Sequence, residues 1–288
     1  MLAAMSEPDV TPPPSAADAA DAPRRTVAIQ VYRDGSFHAA DDTLAVERAL
    51  EIHIAGAAPL ITMRTPGDDT ALAAGLLHAE GVVQTGDDIV YLKHAPESGD
   101  VVRVMLRPAA RERLGRMARS TVATSACGVC GKPSFTPITP DESWSSASQA
   151  APLEPATLLS LPPTLQRAQR VFASTGGLHA AGLFDSTGTL LDVAEDIGRH
   201  NALDKLVGRA LRADALPLSD RILLLSSRAS YELLQKSVMA GIPIVCAVSA
   251  PSTHAVDLAR EFDVTLVGFL RDARFNIYAG AHRIATSL

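Results

Sequence analysis

Between Gly177 and Leu270 apolar runs and amphipathic stretches alternate in a fixed order. "GLHAAGLFDSTGTLLDVAED" reads as a β-hairpin turning at Ser186–Gly188. Three helix–strand units follow: "NALDKLVGRAL" before "RILLLSS", "SYELLQKSVMAG" before "IPIVCAVS", and "THAVDLAREF" before "VTLVGFL". In the first helix Leu203, Leu206, Val207, Ala210 and Leu211 form one stripe at helical spacing. Ser230 is placed to cap the second helix and Gly241 to stop it. Parallel neighbours need a crossover, which a helix supplies, so the order dictates a sheet that is parallel in part with helices packed on it. Upstream, "PATLLSLPPTLQRAQRVFAS" holds a helix expected to break or restart at Pro162 and Pro163.

The first half reads differently. "ALEIHIAG" alternates Leu50, Ile52 and Ile54 against polar neighbours, as a half-buried strand does. "PLITM", "DIVYLK" and "DVVRVMLRP" are further strands. "PGDDTALAAGLLHAEG" is a helix, with Asp68 or Asp69 expected to cap its start and Gly81 to end it. Leu72 and Leu76 share its buried face. This half is α+β with largely antiparallel pairing, against an α/β second half.

The division that follows is a tail over residues 1–25, an α+β domain over 26–120, a mobile loop or linker over 121–152, and a C-terminal domain over 153–288. The tail is rich in Ala and Pro, carries no Lys or Arg in its first 23 residues, and has Pro12–Pro14 where a signal core would be apolar. No apolar run approaches the ~20 residues that span a bilayer. The expected location is therefore cytoplasmic. The net charge of −6 argues against general binding to nucleic acid or anionic membrane. Three cysteines are too few for a disulfide scaffold and point to a reducing compartment.

Two of those cysteines, Cys127 and Cys130, stand in "ATSACGVCGKPS", each followed by glycine. Three chemistries suit the pair. A zinc knuckle would take two ligands from it but lacks a second pair for a closed tetrahedral site. A redox couple wants its first cysteine at a helix N-terminus, which Gly128, Gly131 and Pro133 disfavour. A persulfide relay needs a thiolate on a swinging loop, and the glycines permit it. The preceding stretch from Arg103 to Arg119 holds six arginines and one glutamate, which favours thiolate and attracts anions, or forms a solvated helix face. Cys246, in "PIVCAV", reads as a core thiol.

The segments "STGGLHAAGLF", "EDIGRHNALDKLVG", "SSRASYELLQKSVMAGIPIVCAVSAPSTHAVDLA" and "TLVGFLRDARFNIYAG", with "CGVCG" and "TPGDDTALAAGLLHAEG", closely resemble the FdhD family of formate dehydrogenase accessory sulfurtransferases. The resemblance runs from about Val46 to Gly280 without the linker; Ser227 stands where the family favours Gly. It implies a protein that takes persulfide sulfur from a cysteine desulfurase and passes it to a molybdenum cofactor of the bis-guanine-dinucleotide type, destined for formate dehydrogenase. It implies a homodimer and a C-terminal domain similar in fold to cytidine deaminases. Deaminase chemistry does not follow, because Ala181 stands where the catalytic glutamate would be.

By the same resemblance Cys127 matches the persulfide-bearing cysteine and Cys130 its partner. The cofactor-binding segment is Phe269, Leu270, Arg271, Asp272, Ala273 and Arg274. Arg271 and Arg274 can grip phosphate through forked donors, and Phe269 can stack on a flat ring. Glu195, Asp196, Arg199, His200 and Asn201 either recognise guanine or phosphate or form a capping and ion-pair network. Arg228 and Ser230 are a site by position or a cap. "STGG" at Ser174–Gly177 is a phosphate approach or a tight turn, and His179 a strand histidine or a catalyst. Two rival functions stand beside the relay: a cofactor chaperone without sulfur transfer, and a zinc-stabilised structural protein.

Overall fold

The computed structural model of the chain describes residues 22–116 and 152–285. In its first half, β3 (Arg48–Ile54) pairs antiparallel with β4 (Leu60–Arg64) and parallel with β6 (Ser98–Leu106), which pairs antiparallel with β5 (Ile89–Ala95). The sheet order is β4-β3-β6-β5, and a short helix, α2 (Pro108–Arg113), follows β6. The expected alternation holds: Leu50, Ile52 and Ile54 are buried under α1 (Asp69–Ala79) together with Leu72, Leu77, Val102 and Val104.

Neither Asp68 nor Asp69 caps α1. Asp68 sits in the left-handed region with φ 57°, and no side-chain cap bond forms. Asp69 turns instead to the fully buried Arg64, which grips it with two bonds of 2.9 and 2.8 Å. The same guanidinium reaches Asp100 at 3.0 Å, and Arg48 closes the cluster on Asp100. A buried cation demands a paired anion, and that demand outweighs a cap worth about 1 kcal/mol. Gly81, with φ 69°, ends the helix as expected.

In the second half the strand order is β12-β11-β10-β9-β7-β8. The hairpin β7 (His179–Phe184) and β8 (Leu190–Asp196) pairs antiparallel, β7 joins β9 (Ile222–Leu225) antiparallel, and β9, β10 (Ile244–Ala247) and β11 (Thr265–Arg271) run parallel. The crossovers are α5 (Arg199–Arg212), α6 (Tyr231–Met239) and α7 (Thr253–Glu261). This is the mixed, helix-flanked sheet expected. One face, with Leu223, Leu225, Val245 and Leu266, meets Leu203, Leu206, Leu233 and Ala259 of these helices. The other, with Leu224, Cys246, Val267 and Leu270, packs on α3 (Pro155–Ala168) through Leu158, Leu161 and Leu165. Strands buried on both faces read as unbroken apolar runs for this reason.

Three elements depart from expectation. Helix α3 runs straight through Pro162 and Pro163, and the break comes at Gln169, before α4 (Arg170–Thr175). A proline inside a helix costs about 3 kcal/mol. Three fully buried leucines at about 1.5–3 kcal/mol each offset the pair. A twelfth strand, β12 (Arg274–Ala279), returns antiparallel to β11. Before the α+β sheet stands a hairpin, β1 (Arg24–Arg33) and β2 (Ser36–Ala45), forming a two-stranded sheet of its own, so Arg24 and Arg25 lie in a strand rather than a tail. Its turn, Asp34–Gly35, has φ 52° and 82°, as an Asp-Gly hairpin turn requires.

The halves meet where α1 crosses α5. A Cβ on Gly75 would lie 1.9 Å from the Asp204 carbonyl oxygen, and one on Gly208 would lie 1.8 Å from that of Ala71. The two backbones touch, which only glycine allows.

Candidate functional site at the carboxyl edge of the C-terminal sheet

Strands β9, β10 and β11 end at one edge, and antiparallel pairing brings the start of β7 and the end of β8 to it, with His179 opposite Asp196. Helices α5, α6 and α7 all begin there. Ser230 and Ser252 cap the latter two, accepting from Leu233 and Ala255 N–H at 3.5 and 3.3 Å. An edge lined by helix starts carries partial positive charge, and open α/β sheets hold ligands at their carboxyl edges.

The segment Phe269–Arg274 lies at this edge. It ends strand β11 and forms a bulge and a hairpin tip between β11 and β12. The ladder pairs Gly268 with Asn276 and then Arg271 with Arg274, so Phe269 and Leu270 together face one residue of β12. A bulge re-aims side chains where pairing ends. Phe269 has φ 53° and donates its N–H to Ser249 O at 3.1 Å; Asp272 and Ala273 have φ 52° and 59°. Three non-glycine residues in the left-handed region store strain of order 1–3 kcal/mol each, and such strain gathers at functional sites.

Leu270 is fully buried and anchors the bulge in the core. Phe269 is half-buried, with the Arg271 and Arg274 guanidiniums 6.0 and 5.9 Å from its ring centre. Asp272, with 84% of its side chain exposed, has its carboxylate 3.8 Å from Arg271. The result is an exposed pair of forked donors on an aromatic platform, suited to a polyanion carrying a flat ring. A ring stacking on Phe269 would share it with both cations.

The polar run before α5 divides between structure and edge. Glu195 caps α4, accepting from Val171 and Phe172 N–H at 3.0 and 2.8 Å. Asp196, fully buried, accepts from Lys205 Nζ at 2.7 Å, Gly198 N–H at 2.8 Å, Asn201 Nδ2 at 3.1 Å and Thr65 N–H at 3.1 Å. Asn201 also donates to Met63 O at 2.7 Å, and Lys205 to Thr65 O at 2.9 Å. These side chains bind the end of β4 to the second half, so the network reading holds for Glu195, Asp196 and Asn201. Lys205 and Thr65 were not singled out from sequence, and no local pattern marks them.

His200 faces α6, its Nε2 3.3 Å from Glu232 and 3.5 Å from Ser230 Oγ. At His179 burial, with Arg199 adding, holds the imidazole below its ordinary pKa against the pull of Asp196. Arg228 is exposed at the turn into α6. "STGG" is a helix ending: Gly176, φ 64°, donates to Phe172 O at 2.7 Å, and Thr175 Oγ1 accepts from Gly177 N–H at 3.3 Å.

Cys127 and Cys130 lie outside the described residues, as does the linker that carries them. Several arginines leading to them are engaged. Arg103 pairs with Glu97, Arg107 donates to Asp87 O at 2.6 Å, and Arg113 holds Asp88 at 2.6 Å and Val82 O at 2.8 Å. Burial would raise Asp88, but the Gln84 and Thr85 N–H groups and Arg113 keep its pKa below the usual value. Cys246 is free and buried, and desolvation pushes its thiol up to about 12. It is the core thiol expected.

Comparison with known proteins places these features in a wider group. The model of the FdhD/NarQ family matches residues 45–285. A protein of Streptomyces avermitilis named sulfur carrier protein FdhD is 52% identical over 261 residues, covering 88% of this chain and 93% of that one. Proteins of the same name from Mycobacterium tuberculosis and Saccharolobus solfataricus are 45% and 38% identical, covering 84% and 88% of this chain and 92% and 93% of their own. A crystal structure from Desulfotalea psychrophila, assigned as a formate dehydrogenase accessory protein, superposes with a TM-score of 0.69 at 22% identity, covering 91% of this chain and 99% of that one. It shares the fold.

Proposed function

The chain belongs to the FdhD/NarQ family, and from that premise we propose that it is a sulfur carrier serving formate dehydrogenase. It accepts sulfur from a cysteine desulfurase and delivers it to a molybdenum cofactor bearing two guanine dinucleotides, its cargo. The supporting observation is the strained Phe269–Arg274 tip, whose two exposed guanidiniums suit the cargo's phosphates and whose ring suits its flat heterocycles. The names of the relatives support the sulfur half.

In this reading the Cys127 thiolate attacks the outer sulfur of the desulfurase persulfide. The S–S bond breaks, the donor leaves as thiolate, and Cys127 becomes a persulfide. Cys130 then attacks the inner sulfur, and hydrosulfide departs with the bonding pair to the acceptor. The resulting Cys127–Cys130 disulfide needs a thiol reductant before the next cycle. The work takes place in the cytoplasm and with two copies of the chain together. No described helix is long and apolar enough to cross a membrane.

The test is intact-mass analysis after incubation with a cysteine desulfurase and cysteine. One added sulfur atom that maps to Cys127 and vanishes in Cys127→Ala is expected. Sulfur labelling unchanged in both Cys127→Ala and Cys130→Ala overturns the relay. Active formate dehydrogenase from the double variant would favour a chaperone instead.

A further inference from the structure

We propose that Arg228 extends the Phe269–Arg274 tip into a nucleoside-diphosphate subsite, meeting the outer phosphate of a guanine nucleotide whose base lies on Phe269. The inference rests on the nucleotide-binding part of the proposed function and says which group of the cargo this edge reads.

The backbone fixes where Arg228 stands. Strands β9 and β10 run parallel with Leu225 opposite Ala247, and the same register continues past their ends to an isolated bridge between Ala229 and Pro251. Ser252 N–H donates to Ala229 O at 2.9 Å, and Ser230 and Ser252 cap α6 and α7 side by side. This register sets Arg228 beside Ala250. From the other side Phe269 N–H reaches Ser249 O at 3.1 Å. The turn Ser249–Pro251 is therefore what separates Arg228 from Phe269. Their backbones lie two strand spacings apart, about 10 Å.

That turn makes a bare floor. It offers a serine, an alanine and a proline, partly exposed and without charge. Gly268 lets β11 close on it: a Cβ there would lie 2.9 Å from Pro251 Cδ and 3.3 Å from Ser249 O. Both flanks are held by hydrogen bonds, Phe269 through Ser249 O and the Arg228 carbonyl through Ser227 Oγ, which donates to it at 3.1 Å. Groups on a fixed backbone meet a ligand more precisely than groups on a free loop.

The two strand-to-helix corners are built alike, yet at the matched position one carries Arg228 and the other Ala250. Arg228 is exposed, and among the described residues its side chain has no hydrogen-bond or ion-pair partner. Its charge is not spent in the network that engages Asp196, Asn201 and Lys205. No acid stands between Val248 and His254 to neutralise it from the floor. Forked guanidiniums match the paired oxygens of phosphate. Arg271 and Arg274 present two forks beside an aromatic ring, where a base and the nearer phosphate fit. Arg228, across an uncharged floor of small residues, presents the third fork to the outer phosphate.

The experiment is calorimetric titration of the full chain with guanosine monophosphate and with guanosine diphosphate. It compares wild type, Arg228→Ala, Arg228→Lys and Arg271→Ala/Arg274→Ala, with urea midpoints checking that each is folded. Wild type is expected to bind the diphosphate more tightly. Arg228→Ala should weaken the diphosphate about tenfold, as loss of a charge-assisted bond does, and leave both the monophosphate and the midpoint nearly as they were. Arg228→Lys keeps the charge without the fork and should fall between. The double variant at the tip should weaken both nucleotides. Diphosphate affinity unchanged in Arg228→Ala, or both nucleotides weakened alike, would overturn the subsite and leave the tip. A wild type that binds neither nucleotide would overturn subsite and tip together. Sulfur loading at Cys127 is read separately, so a chain that loads without binding nucleotide leaves the relay standing.

Discussion

Two regions of this chain spend charged residues in opposite ways. At the seam between α1, β4 and α5, Arg64, Asp69, Asp196 and Lys205 are all but fully buried, and each carboxylate is met by several donors. At the tip between β11 and β12, Arg271, Asp272 and Arg274 are exposed, loosely paired, and held on a backbone with three strained residues. The seam is nearly finished: each of these charges already has an opposite charge as partner, Arg64 Nη1 being a buried donor left over, and it holds two sheets together. The tip is unfinished, with hydrogen-bonding capacity aimed outward. A motif rich in charge is thus no guide to a ligand site until its partners are known.

If that contrast is right, the largest effect belongs to the helix crossing. Gly208→Ala puts a methyl 1.8 Å from the Ala71 carbonyl oxygen, where only backbone can yield. A loss on the order of 5 kcal/mol is expected, read as a collapse of the urea midpoint or as failure to fold. An unchanged midpoint would mean the halves are not in backbone contact.

Next comes Lys205→Met, which strands the buried Asp196 carboxylate. It should cost about 3–5 kcal/mol, and Asp196→Asn/Lys205→Met should recover part of it. A loss under about 1 kcal/mol in the single variant would place this pair in the class of solvated surface bridges.

At the tip the signs reverse. Arg271→Ala and Arg274→Ala should leave stability within about 0.5 kcal/mol. Each should weaken binding of a guanine dinucleotide about tenfold or more, as loss of a charge-assisted bond does. Calorimetry separates these outcomes, and an equal loss of stability would make the tip structural.

Smallest is a pH effect at the seam. His78 on α1 is buried, its ring nitrogens 2.9 and 3.1 Å from the carbonyls of Val83 and Met239. Burial lowers its pKa, against the pull of those carbonyls, and Lys236 lowers it further. Below the ordinary imidazole range the unfolded chain binds a proton that folded His78 resists, so stability falls as pH falls, by at most about 1.4 kcal/mol per unit. His78→Gln should flatten that slope between pH 7 and the folded-state value; an unaltered slope would assign it to other groups.

The order and type of most elements were legible because burial leaves a period in sequence: two at Leu50, Ile52 and Ile54, and 3.6 along Leu203, Leu206, Val207 and Leu211. Ser230 and Gly241 marked the ends of α6 for equally local reasons. Two hairpins escaped this reading. The β1–β2 ribbon carries Asp34–Gly35 and a period of two at the half-buried Val27, Ile29 and Val31, but its second strand is too exposed to alternate. Strand β12 hides behind Asp272–Ala273, whose left-handed backbone no glycine advertises.

Local pattern, propensity and the family-like segments of the chain settled the fold class, the order of its strands and helices, and the inert character of Cys246. Contacts remote in sequence decided the rest. Asp69 leaves the helix start for Arg64, α3 passes two prolines because a sheet lies beneath it, and Asp196 of the charged run belongs to Thr65 and Lys205 rather than to a ligand. The physical reason is that the cost of burying a charge, or of bending a helix, depends on what the rest of the chain sets against it, and that is fixed only when the two halves pack.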